Sequence, residues 1–156
     1  MSDEEETSGG GRHRGRQVAL QVLYAIDLAA KDASSDEEEG SPNDPNEGIF
    51  DRISENFVVP TAVTAFARDL VGGVVERIDE LDGILGVHAR NWRVSRMAAV
   101  DRNVLRLAVY ELRDTTTPIA VVIDEAVDLA RRFGSDASPS FVNGVLDSVA
   151  KEVRAA

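Results

Sequence analysis

Residues 138–149 read "SPSFVNGVLDSV" and pose the sharpest choice between strand and helix in this chain. Asn143-Gly144 between two alternating apolar runs would be the strongest short signal for a β-hairpin. Neither flank alternates; apolar residues instead recur at helical spacing through the pair, at Phe141, Val142, Val145, Leu146, Val149 and Val153. The segment therefore predicts one helix with an interior glycine, which costs about 1 kcal/mol relative to alanine. We expect the close approach of a neighbouring helix, or alternatively of a ligand backbone, to offset that cost.

Helical periodicity also covers the first half of the chain. An apolar stripe at Val18, Val22 and Ile26 predicts a helix from Gln17 to near Lys31. Residues 48–57, "GIFDRISENF", predict a short amphipathic helix. A long helix is expected to begin at Pro60 and run through about residue 88, because Pro suits a first helical turn. Gly72-Gly73 interrupts it and marks a bend or a close helix contact.

The second half continues in the same way. Residues 91–114 predict a short turn and then a helix, and Thr117-Pro118 predicts the start of the next. The β-rich run "IAVVI" (119–123) lies between a proline and a helical pattern, so we expect it to be helical. Gly134 is expected as the C′ residue of that helix, and Ser138-Pro139 opens the last one.

Charge divides the chain into a domain and two acidic segments. The net charge is −11, but two runs of four acids, Asp3–Glu6 and Asp36–Glu39, account for most of the excess of 28 acids over 17 bases. Such runs are typical of solvated, disordered segments. We expect a disordered acidic tail at 1–11, a helical domain at 12–156, and within it an acidic flexible loop at 32–47.

Composition excludes several classes of site. The 156 residues include no cysteine, which rules out disulfides and thiolate sites and fits a cytoplasmic location. Only two histidines occur, far apart, and adjacent carboxylates such as Asp124-Glu125 diverge on a helix. The sequence has no phosphate loop, no nucleophile elbow and no apolar run long enough to cross a membrane. We therefore expect no catalytic residues, no metal and no cofactor.

Three ordered segments carry a family resemblance. They are "RGRQVALQVLYAIDL" (14–28), "AVDRNVLRLAVYEL" (99–112) and "DEAVDLARRFGSDASPS" followed by "FVNGVLDSVA" (124–150). Together they resemble the family of the bacterial transcription antitermination factor NusB. One departure is Ala137, since many relatives have an acid just before the serine that matches Ser138, whereas here the acid is Asp136.

The resemblance implies an all-α fold of two packed helix bundles, with about seven helices in one compact domain, and no enzymatic activity. It implies a cytoplasmic, RNA-binding adaptor in transcription antitermination. Its partners would be NusE, which is also a protein of the small ribosomal subunit, the boxA element of nascent RNA, notably ribosomal RNA, and the transcription elongation complex.

The densest basic cluster lies at the start of the first helix and consists of Arg12, His13, Arg14 and Arg16. The helix dipole disfavours cations there, so the cluster needs a reason or is a chance surface feature. The resemblance places an Arg-rich RNA-contacting motif on these positions. Gln21 and Tyr24 lie one turn further along, off the apolar stripe, where the tyrosine could stack on an unpaired base or be a partly buried core residue.

The remaining candidates have strong structural explanations. Asp101 suits the first turn of a helix, and the resemblance adds contact with NusE. Phe133 and Asn143 flank the last inter-helix loop and are expected as RNA contacts, although such residues more often pack or cap. Trp92 is expected to anchor the connecting segment.

Two other function classes compete with RNA binding. A protein–protein adaptor without direct RNA contact would use the basic cluster against protein acids. An RNA-modifying enzyme is disfavoured, because 156 residues leave no room for a methyl-donor-binding domain.

Overall fold

A computed structural model describes residues 10–33, 48–54, 59–89 and 92–154. Over these ranges it contains seven α-helices, one short 3-10 helix and no strand, so the prediction of an all-α fold with about seven helices is confirmed. The α-helices are α1 (Gly10–Ala33), α2 (Ile49–Ser54), α3 (Thr61–Glu76), α4 (Ile78–His88), α5 (Ala99–Asp114), α6 (Ile119–Phe133) and α7 (Ser138–Val153), with the 3-10 helix at Val94–Arg96. Residues 1–9 of the expected tail and 34–47 of the expected loop lie outside the described residues.

Two compact units divide the chain at Val71 and Gly72, within α3. In the first unit α1 packs against α2, and the predicted apolar stripe of α1 is buried at Val18 and Val22. The helix begins at Gly10 rather than at Gln17, so the expectation of a tail through residue 11 is wrong for its last two residues. Apolar periodicity misses this extension, because its residues are glycine, arginine and histidine.

In the second unit α5 is the central helix. It contacts α4, α6 and α7, and every residue from Arg102 to Val109 is buried. The largest fully buried side chains around it are leucines on four helices, Leu81, Leu85, Leu105, Leu107, Leu112, Leu129 and Leu146. Burying a leucine contributes roughly 1.5–3 kcal/mol, so this cluster is the main source of stability in the unit.

The long helix expected after Pro60 is two helices, and the break lies at Arg77 rather than at Gly72-Gly73. Arg77 has φ −119° and ψ 18° and is the N-cap of α4. Its guanidinium donates to the carbonyl of Gly73 at 3.2 Å and lies 5.7 Å from the ring centre of Tyr110. Gly73 marks a close helix contact as expected, since a Cβ there would collide with the Tyr110 ring.

Polar side chains join the helices of the second unit. Arg106 on α5 donates two hydrogen bonds of 2.7 Å to the carboxylate of Asp82 on α4. Arg154 donates to the carbonyls of Leu112, at 2.7 Å, and Glu111, at 3.1 Å, which belong to the last turn of α5. The first bond satisfies a last-turn carbonyl that has no partner within its own helix, whereas the Glu111 carbonyl also accepts from the amide and hydroxyl of Thr115.

The β-rich segment 119–123 is helical, as expected, and forms the start of α6. Gly134 directly follows that helix, as its C-cap rather than as the expected C′ residue, with an extended backbone of φ −96° and ψ −165°. A side chain there would crowd Ser138, whose hydroxyl accepts a hydrogen bond from the Ser135 amide at 3.0 Å. The glycine is therefore explained by this tight turn between α6 and α7.

Asn143-Gly144 lies inside α7, so the helix prediction is confirmed and the hairpin is excluded. Both residues are exposed, and a Cβ added at Gly144 would meet no atom within 4 Å. The expectation that a neighbouring helix approaches this glycine is wrong. Nothing in the described part of the chain offsets its cost.

Candidate nucleic-acid interface

One side of α1 is open to solvent and carries polar and aromatic side chains. Arg14, Gln17, Gln21, Tyr24 and Leu28 recur at intervals of three and four, which places them in one line along the helix. We call this line the α1 stripe. Gln17 and Gln21 are half-buried, and the other three are exposed. Tyr24 is 37% exposed, so it is partly buried and still presents part of its surface to solvent.

The basic cluster occupies the first two turns of α1, as expected, but its members differ in exposure. Arg12 and Arg14 are exposed, while His13 is half-buried and shares a 3.2 Å hydrogen bond with Gln17. Arg16 is only 2% exposed. A phosphate can therefore reach Arg12 and Arg14 directly, whereas the charge of Arg16 lies beneath the surface.

Phe66 on α3 faces the basic cluster. Its ring centre lies 5.8 Å from the guanidinium carbon of Arg12 and 5.5 Å from that of Arg16. Gly15 separates these two arginines, and a Cβ there would be 2.6 Å from the Phe66 ring. The negative ring face meets two cations, an arrangement that stabilises positive charge where the helix dipole disfavours it.

The second unit holds the other predicted residues. Phe133, at the end of α6, is 40% exposed, and Asn143 is exposed on α7. Trp92 is 58% exposed and meets Phe141 edge to face with ring centres 6.1 Å apart. Trp92 was expected to pack as an anchor of the connecting segment, but more than half of its surface is exposed, and Phe141 is its one ring contact among the described residues.

Asp101 lies in the first turn of α5, as predicted, and lines a cavity of about 490 Å³. Trp92, Arg96 and Phe141 line the same cavity. One carboxylate oxygen of Asp101 is shielded from solvent and accepts no hydrogen bond from any described residue. A buried carboxylate oxygen without a donor is unfavourable, so this site suits a ligand that brings one.

Residues 10–33, 48–54, 59–89 and 92–154 contain no group of three or more histidine, aspartate or glutamate side chains arranged to hold a metal ion. Nor does any helix in them have the length and apolar character needed to cross a membrane.

A family model described as the NusB family matches residues 13–151. The chain belongs to the NusB family. The match begins at His13 in α1 and ends at Lys151 in α7. Membership of this family agrees with the prediction of a non-catalytic protein.

Curated relatives and solved structures extend the match. The transcription antitermination protein NusB of Anaeromyxobacter dehalogenans strain 2CP-1 is 44% identical over 143 residues, which cover 89% of each chain. That of Geobacter sp. strain M21 is 41% identical, covering 91% of this chain and 95% of the relative.

Among solved structures, NusB of T. maritima superposes with a TM-score of 0.76 at 33% identity, covering 90% of this chain and 91% of that one. A crystal structure of antitermination factors NusB and NusE in complex with dsRNA superposes with a TM-score of 0.75 at 28% identity. The match covers 91% of this chain and 97% of that one.

Sequence reasoning missed two features of the basic cluster. It did not bring Phe66 next to this cluster, and it did not anticipate the burial of Arg16. Gly15, a glycine inside a basic cluster in a helix, was the available signal, because it allows another group to approach the backbone closely.

Proposed function

We propose that this protein is a non-catalytic transcription antitermination factor of the cytoplasm. Together with NusE it would bind the boxA element of nascent transcripts, notably ribosomal RNA, and act as an adaptor on the transcription elongation complex. The observation that carries the proposal is the combination of NusB-family membership with an exposed α1 stripe that begins in a basic cluster.

The α1 stripe provides two kinds of RNA contact. Arg12 and Arg14 present exposed guanidinium groups that suit phosphate oxygens. Tyr24 lies about three turns along the helix from Arg14 and exposes an aromatic ring that suits an unpaired base. Stacking of this kind contributes about 1–3 kcal/mol per base, which makes the single strand the expected form of RNA.

The partner protein is needed because the chain is acidic. Its net charge of −11 opposes a polyanion, and NusE would supply further basic surface. We assign Asp101 to the contact with NusE. Its shielded oxygen lacks a donor among the described residues, and a donor from the partner would satisfy it.

Titration of boxA RNA into the protein, with and without NusE, tests the proposal. We expect tight binding only when NusE is present. Arg12→Ala with Arg14→Ala should weaken the complex about tenfold or more and reduce the slope of log K against log salt by roughly 1.4. Arg16 is left intact in this variant, because its burial makes substitution a test of folding.

A charge-matched control removes two exposed cations elsewhere, Arg68 and Lys151. Arg68→Ala with Lys151→Ala should leave the affinity within about twofold, since neither belongs to the α1 stripe. If both double variants bind RNA as tightly as the wild type, the basic cluster does not contact RNA. That outcome would favour the alternative function, a protein–protein adaptor in which the basic cluster meets protein acids.

A further inference from the structure

We propose that Phe66 is a positioning residue for RNA binding, whose ring holds the Arg12 guanidinium ready for a phosphate. The inference rests on the proposed function, because it concerns the same basic cluster. It extends that function to a side chain on α3 which is itself apolar and makes no ionic contact.

Two arginines of α1 contact the ring of Phe66. Arg12 and Arg16 are one helical turn apart, and both place their guanidinium carbons within 6 Å of the Phe66 ring centre. At this range the ring quadrupole attracts a cation. Arg16 is buried and Arg12 is exposed, so one arginine is held inside the unit while the other is held at its surface.

Gly15 makes this geometry available. A Cβ at that position would lie 2.6 Å from Cδ1 and 3.2 Å from Cε1 of Phe66, so the ring rests directly on the helix between the two arginines. Any other residue at 15 would push the ring away from α1. The contact between Phe66 and the two arginines therefore requires glycine at position 15.

The physical benefit is preorganisation. A free arginine side chain samples many rotamers, and fixing it on a phosphate costs conformational entropy at the moment of binding. Arg12 is already held against a ring before RNA arrives, so it loses less. Arg14 belongs to the α1 stripe on another face of the helix, so the contact between Arg12 and Phe66 can be tested with Arg14 left intact.

The experiment compares Phe66→Met with Phe66→Tyr in the full chain with NusE and boxA RNA. Phe66→Met removes the ring and keeps an apolar side chain, and we expect affinity to fall about fivefold. Phe66→Tyr keeps the aromatic face and should bind within about twofold of wild type. The matched control is Phe50→Met, because Phe50 contacts Arg68 at 4.4 Å in the same unit, and it should also bind within about twofold.

A double-mutant cycle with Arg12→Gln separates positioning from general structural support. If Phe66 acts through Arg12, then Phe66→Met should cost nothing once Arg12 is replaced. An equal loss in both backgrounds overturns the proposal, as does a Phe66→Met affinity within twofold of wild type. Should circular dichroism show that Phe66→Met is unfolded, Phe66→Leu takes its place in the same cycle.

Side-chain NMR of the free protein tests the contact between Arg12 and Phe66 without RNA, so it tests this inference separately from the proposed function. Arg12 Hε and Hδ should show ring-current shifts that vanish in Phe66→Met and persist in Phe50→Met. If wild type with NusE does not bind boxA RNA, the proposed function fails. Absent ring-current shifts instead refute the positioning role while leaving the proposed function standing.

Discussion

Gly144→Ala should stabilise this protein, and the gain follows from two local facts. Gly144 is the seventh residue of α7 (Ser138–Val153), so it lies in the helix interior, where alanine is preferred to glycine by about 0.8–1.0 kcal/mol. An added Cβ meets no atom within 4 Å, so no steric term reduces this gain. We expect the full value, about 1 kcal/mol in the free energy of unfolding.

Urea denaturation measures this prediction. With an m-value of about 2 kcal/mol/M, the unfolding midpoint should rise by roughly 0.5 M while m stays unchanged. Gly73→Ala is the matched control with the opposite sign. Its Cβ would collide with the Tyr110 ring, and overpacking of that kind costs about 1–3 kcal/mol. An unchanged or lower midpoint for Gly144→Ala would refute the account of an unconstrained helix glycine.

The same variant separates stability from binding. The alternative reason for a glycine in this helix was the close approach of a ligand backbone. No described residue of the chain itself comes close to Gly144, so such a ligand would be a separate molecule. If a partner approaches there, Gly144→Ala should weaken NusE or RNA binding while it raises stability. Unchanged affinity for both would remove the ligand explanation.

Three further predictions concern other contacts in the second unit. Asp82→Asn breaks the ion pair with Arg106 and should lower the free energy of unfolding by about 2 kcal/mol, less than the 3–5 kcal/mol of a fully buried pair, because the Asp82 side chain is 28% exposed. Urea denaturation measures this loss, and Asp147→Asn, which breaks an exposed pair with Lys151, is the control. Arg154→Met should cost about 1–2 kcal/mol, since it unpairs the carbonyls of Leu112 and Thr115, and a thermal midpoint equal to wild type would contradict this. Asp101→Asn should weaken NusE binding about fivefold or more in calorimetry without lowering stability, whereas an equal loss of stability would indicate a purely structural carboxylate.

Most helices of this protein could be predicted from the sequence, because apolar spacing is local information. The stripes at Val18 and Val22, and at Val145 and Val149, are buried as their periodicity indicated. The helical state of the β-rich segment 119–123 also followed, because flanking residues continued the helical period. The partial exposure of Tyr24 did not follow from this spacing, because it depends on which neighbours cover the ring.

Contacts between residues far apart in the chain decided the rest. Arg16 looks like any surface arginine in sequence, and only tertiary packing places it beneath the surface with its guanidinium over the Phe66 ring of another helix. Arg77, where the long helix breaks, contacts groups on α5, including the Tyr110 ring, and the sequence does not indicate these contacts.

Spacing along the chain was thus enough to determine the helices, the buried stripe of α1 and the basic cluster at its start. The exposure of each arginine, the empty space beside Gly144 and the shielded oxygen of Asp101 were settled by tertiary packing alone. The reason is that periodicity reports which face of a helix is apolar, whereas the neighbour that meets a given side chain depends on how separate helices come together.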